Sequence, residues 1–178
     1  MSKYPQVLTI TDWHQYIEHV IGFECSSPIT NNYLYRGQAD SKWELQPSLT
    51  RFAKLYELGA SQYHEIEKAT LQDFRKDAHL YLPANKVHSR DDLVAWWVLM
   101  QQYGAPTRVL DWTVSAYVAL YFAVEKEPDK DGAVWVFRSD SLYKHHQEVF
   151  GRIKPPPIDE QTALPGSPWV GFILPNTS

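Results

Sequence analysis

The chain has 178 residues, 17 Lys+Arg against 21 Asp+Glu, a net charge of -4, and 44% hydrophobic and 14% aromatic residues. These values describe one globular domain that can bury a core, and they argue against disorder and against nucleic-acid binding through bulk charge. No apolar run of transmembrane length occurs, the start MSKYPQVLTITDW is not a secretory signal, and the single Cys25 excludes an intrachain disulfide, so the chain reads as cytoplasmic.

Trp13, Tyr16, Ile17, Val20 and Ile21 recur at helical spacing and predict a first helix, capped by Thr11 or Asp12 and brought toward its end by Gly22. The polar stretch SSPITNN then leads into an aromatic strand over 33–37. Residues 43–53, with Pro47 and mixed spacing, read as irregular. A long helix is expected over 61–80, with Tyr63, Ile66, Thr70, Phe74 and Ala78 on its buried side. The next covers 91–103: Asp91 or Asp92 caps it, Leu93, Trp96, Trp97 and Met100 form its apolar stripe, and Gly104 and Pro106 stop it.

A short extended piece over 107–110 precedes a helix over 115–125. Its sequence AYVALYFAV is apolar nearly all round, which marks it as central to the core. AVWVF at 133–137 predicts a strand, and 141–150 a short helix. The end holds PPP and then SPWVGFILPNTS, either a closing strand with a loose terminus or an incompletely folded tail. The expected class is α+β, a single domain of four to five helices packed on a small mixed or antiparallel sheet.

Most familiar chemistries lack their residues. The seven histidines form no HExxH, and His64 with Glu67 supplies two ligands where a metal site needs three or more, so no metal is expected. GxGxxG, GxxxxGK[ST] and GxSxG are all absent, and Cys25 has no partner that would make it a nucleophile. Two polar clusters remain inside apolar surroundings: Tyr35-Arg36-Gly37-Gln38, and the run from Gln101 to Thr113, which holds Gln102, Thr107, Arg108, Asp111 and Trp112. An arginine among aromatics stays buried only when paired or when it meets an anion. In the structural reading Arg108 or Arg36 forms a buried bidentate bridge to Asp111; in the functional reading one arginine holds a carboxylate or phosphate.

At these residues the chain resembles the FRG domain family. YLYRGQADSKWELQPSLTR is similar to its aromatic-Arg-Gly motif, here Tyr35-Arg36-Gly37. LMQQYGAPTRVLDWTVSAYVALYFAV resembles its Gly-x-Pro-Thr-Arg-x-Leu-Asp-Trp-Thr block followed by an apolar helix. The resemblance covers about 30–137 and implies an FRG-type domain over 1–153, with 154–178 a Pro-rich segment or the cut-short end of that domain. Gln102 stands where the family has a histidine, and glutamine cannot titrate near neutral pH.

The family is found mostly in bacteria and phages, often in mobile or defence-associated settings. The pattern is also faintly similar to ADP-ribosyltransferases of the Arg–Ser–Glu type. That likeness implies NAD as cofactor, with Arg36 on its phosphates and Thr113 in the second role; no late-strand glutamate fills the third. The expected site is a pocket for an anionic or nucleotide-like ligand, with Tyr35, Gln38, Arg51, Gln102, Thr107, Arg108, Asp111 and Trp112 around Arg36, and Asp111 orienting Arg108. The alternative is a non-catalytic recognition module, with a protein or nucleic-acid partner docking on tryptophans such as Trp43, Trp96, Trp97 or Trp169.

Overall fold

The computed structural model describes residues 7–26, 33–83 and 92–138. They form the expected α+β class, five helices and a two-stranded antiparallel sheet. Contacts divide them into two units: the chain up to Ser41 and again from Thr113, and the stretch between, from Lys42 to Trp112. Expectations for 141–150 and 154–178, and for Asp91 and Trp169, fall outside the described residues.

The first unit begins with α1 (Trp13–Ser26), whose N-terminus is closed by Asp12 Oδ1 accepting from the Gln15 N–H at 3.0 Å. Gly22 does not end it. The helix runs one turn further, and open space around Gly22 leaves nothing to interrupt it. Strand β1 (Tyr33–Gln38) pairs antiparallel with β2 (Ala133–Arg138), Arg36 lying opposite Trp135. Tyr35 exchanges both backbone bonds with Thr113, at 2.7 and 2.9 Å. Residues 33, 35 and 37 therefore turn their backbone groups away from β2, while 34, 36 and 38 turn theirs toward it.

Side chains alternate in the same way. Tyr33 and Tyr35 face the buried Tyr16 and Val20 of α1 and the alanines of α5 (Ala116–Val124). The Tyr16 hydroxyl donates to the Ala116 carbonyl at 2.6 Å. Gly37 is where α5 crosses the strand. A Cβ there would overlap the Ala119 carbonyl oxygen and lie 2.8 Å from the Ala123 nitrogen, so no other residue fits without moving the helix.

Helix α5 joins the core of the first unit through one face only, although its composition is apolar nearly all round. It buries only Ala116, Ala119 and Ala123 against the strand, and Tyr117, Val118, Tyr121, Phe122 and Val124 are exposed. Close approach of helix to strand needs small side chains on the contact face, which leaves the large ones pointing outward.

In the second unit α2 (Ser48–Leu55) occupies part of the stretch that reads as irregular. Pro47 precedes the helix rather than breaking it, and Leu49, Phe52 and Ala53 supply the i, i+3, i+4 inner face. Helix α3 (Ala60–Tyr81) buries Glu67, Leu71 and Ala78, with Phe74 packed at their side. Its inner face is therefore rotated from the expected one, and Tyr63, Ile66 and Thr70 are only half-buried.

Helix α4 (Leu93–Gln102) starts at Asp92, whose Oδ1 accepts from the Ala95 N–H at 3.0 Å. It ends as expected at Gly104, with φ +82° and its N–H donating to the Gln101 carbonyl at 3.0 Å. Trp96 and Trp97 are core, 2% and 4% exposed, which removes them as a docking platform. Residues 107–110 form no strand. Among the described residues, no helix is long and apolar enough to cross a membrane.

Candidate functional site

The expected site residues divide between the two units. Tyr35, Arg36, Gln38 and Thr113 belong to the first, and Arg51, Gln102, Thr107, Arg108, Asp111 and Trp112 to the second.

In the second unit the Gly-x-Pro-Thr-Arg block is spent on internal bonds. Thr107, 1% exposed, donates its N–H to Ser48 Oγ at 2.9 Å, and its carbonyl accepts from the Leu49 N–H at 3.0 Å. Its hydroxyl donates to Gln101 Oε1 at 2.7 Å, and Gln101 Nε2 donates in turn to Asp111. Arg108 forms a bidentate pair with Glu67, and its guanidinium lies 5.0 Å over the Trp97 ring.

The expected orientation of Arg108 by Asp111 is thus corrected: Glu67 holds Arg108 and Gln101 holds Asp111. The sequence does carry a signal for Glu67. Glu67, Leu71, Phe74 and Ala78 recur at i, i+4, i+7 and i+11, and a carboxylate on a buried stripe requires a cation. Arg51 is exposed and donates to the Gln46 carbonyl at 2.6 Å, Gln102 is exposed at the end of α4, and Trp112 is buried.

In the first unit Tyr35 is core rather than lining. It is 1% exposed, and burial pushes its hydroxyl up to about 12 from 10.0. That hydroxyl has no hydrogen-bond partner among the described residues. Thr113 works through its backbone bridge to Tyr35, while its Oγ1 accepts from the Ser115 N–H at 3.1 Å in the turn that starts α5.

The opposite face of the sheet carries Leu34, Arg36 and Gln38 on β1 and Ala133, Trp135 and Phe137 on β2. There the Trp135 indole N–H donates to the Gln38 side-chain oxygen, and Arg36 is half-buried across from Trp135. Trp135 was not among the expected residues, although its place in AVWVF, opposite the arginine strand, is the cue. Among the described residues no three His, Cys, Asp or Glu side chains gather as a metal site.

A strand that ends in aromatic-Arg-Gly, the glycine crossed by an alanine-faced helix, and a Gly-x-Pro-Thr-Arg turn before that helix define an α+β domain of one type. The family model of the FRG domain matches residues 31–132, more than half of the chain, and the chain belongs to the FRG domain family. No curated protein and no solved structure matches it.

Proposed function

We propose that this FRG domain binds a nucleotide-like anion on the sheet face that carries Arg36, Gln38 and Trp135. The supporting observation is the make-up of that face: a half-buried arginine opposite a tryptophan, with the indole N–H held by a glutamine amide. A guanidinium grips phosphate or carboxylate through two parallel N–H bonds. An indole offers a flat ring for a base or a nicotinamide. Of the other arginines, Arg108 forms a bidentate pair with Glu67 in the second unit, and Arg51 is exposed.

NAD fits these groups as a ligand, through a pyrophosphate on Arg36 and a ring against Trp135. Transfer of ADP-ribose would add a need for a carboxylate at the developing positive charge. Asp40, close along the chain, is instead ion-paired with Lys130 at 3.3 Å, and the Thr113 hydroxyl accepts from Ser115. Binding is therefore the proposed activity, and no transfer step is assigned.

The test is a thermal-shift titration with ADP-ribose, NAD and inorganic pyrophosphate. A ligand at about 100 times its Kd stabilises by about 2.7 kcal/mol, or roughly 5–10 °C for a chain of this length. The shift should vanish in Arg36→Ala and weaken at least tenfold in affinity in Arg36→Lys, which keeps the charge and loses the fork. No shift with any of the three, or a shift unchanged in Arg36→Lys, overturns the reading. Release of nicotinamide from NAD, followed by chromatography, separates binding from transfer.

A further inference from the structure

Helix α5 presents a solvent-facing side with no charge in nine residues. Tyr117, Val118, Tyr121, Phe122 and Val124 are 43–58% exposed, and Trp13 of α1, 51% exposed, extends the patch through a ring contact with Tyr117 at 5.9 Å. A monomer rarely leaves so large a continuous apolar surface uncovered without a use for it. The same helix fixes its other side against Gly37, so it cannot roll to bury these rings.

We infer that this face is covered by a second copy of the chain, α5 lying antiparallel on its counterpart about a two-fold axis. Three features favour that occupant. With half of four aromatic rings and two valines covered, each copy loses roughly 600 Å², about 1,200 Å² in total, which is the lower limit for a stable protein interface. The rows Tyr117–Tyr121 and Val118–Phe122 are i, i+4 ridges of the kind that seat in the grooves of a like helix. Charge also complements. Glu125 caps the C-terminal end of α5, where its own helix dipole disfavours a carboxylate. An antiparallel copy brings each Glu125 to the N-terminal end of the other helix, where a carboxylate is favoured.

Sedimentation velocity of the full chain from about 1 to 200 µM tests this, the range an interface near the lower size limit calls for. The mass should rise with concentration from 20.6 kDa to about twice that. Tyr121→Glu should hold the chain monomeric throughout, with an unchanged circular dichroism spectrum because the position is exposed. Glu125→Lys should weaken the dimer by about fivefold. A dimer that survives Tyr121→Glu overturns the inference, and so does a wild-type monomer at 200 µM. In the second case, hydrogen exchange of α5 reassigns the face: protection to residues 139–178 of the same chain, free exchange to a different protein.

Discussion

Replacing Gly37 by alanine adds one methyl group at the point where α5 crosses β1. The new carbon would overlap the Ala119 carbonyl oxygen and stand 2.8 Å from the Ala123 nitrogen and 3.0 Å from the Ala119 carbonyl carbon. All three are helix backbone atoms, held by hydrogen bonds along α5, and none can swing aside as a side-chain tip would. Relief requires the whole helix to lift from the strand, which opens the packing of Ala116 and Ala119 on Tyr33 and Tyr35. Overpacking of this kind costs about 3 kcal/mol or more, or roughly 6–12 °C in Tm for a chain of this length. Gly22→Ala is the internal control: that glycine lies inside α1 with nothing within 4 Å, so alanine there should add about 0.5–1 kcal/mol. Thermal melts of both variants beside the parent decide the matter. If Gly37→Ala melts within a degree or two of the parent, or if the two variants shift alike, the close-approach argument is wrong.

The buried polar groups carry three further outcomes. Arg108→Ala strands the Glu67 carboxylate, 6% exposed, and should cost about 3–5 kcal/mol. Glu67→Ala leaves a guanidinium 21% exposed and should cost less, about 1–3 kcal/mol, while the Glu67→Met/Arg108→Met double variant should be more stable than Arg108→Ala; equal losses in all three would refute the pairing. Tyr35→Phe should be neutral or slightly stabilising at pH 7, since the hydroxyl it removes is buried without a partner among the described residues, whereas Tyr16→Phe forfeits the bond to Ala116 and about 1 kcal/mol. Burial holds both tyrosines up at about 12, against 10.0 in the unfolded chain. Above pH 10 the unfolded chain therefore ionises these tyrosines while the folded chain does not, so stability is unaffected by them below pH 10 and falls as the pH rises from 10 to 12. Alkaline urea melts in which the two Phe variants keep the parent's pH slope would remove that cause.

The elements legible in the sequence are those whose local signals agree. Helix α4 has a capping aspartate, an apolar stripe and a terminal glycine that all point to one answer, β1 is aromatic, and β2 is both aromatic and β-branched. Failures arise where a local rule meets a contact distant in sequence. Composition cannot show that Gly37 and Gly132 demand the alanine side of α5, so AYVALYFAV reads as core on every side. Spacing puts Asp111 three residues from Arg108, yet α3 delivers Glu67 from 41 residues away. The same limit acts on the candidate site: Arg36 is evident as a cation among aromatics, while Trp135 becomes its neighbour only through the strand register.

That register has a consequence for how the chain reaches its native state. The bonds that close the first unit join residues nearly a hundred positions apart, 100 for Tyr16 to Ala116 and 97 for Gln38 to Trp135. The described part of the second unit, Lys42 to Trp112, lies between them along the chain as an insertion. Closing so long a loop carries an entropy cost that must be met before the strand pairing rewards it. The insertion, with α3 and α4 packed as sequence neighbours, is therefore expected to condense before β1 meets β2, an order that pulsed hydrogen exchange during refolding would check. During synthesis Tyr35, Arg36 and Gly37 emerge early and wait, unpaired, until Ala133–Arg138 arrives.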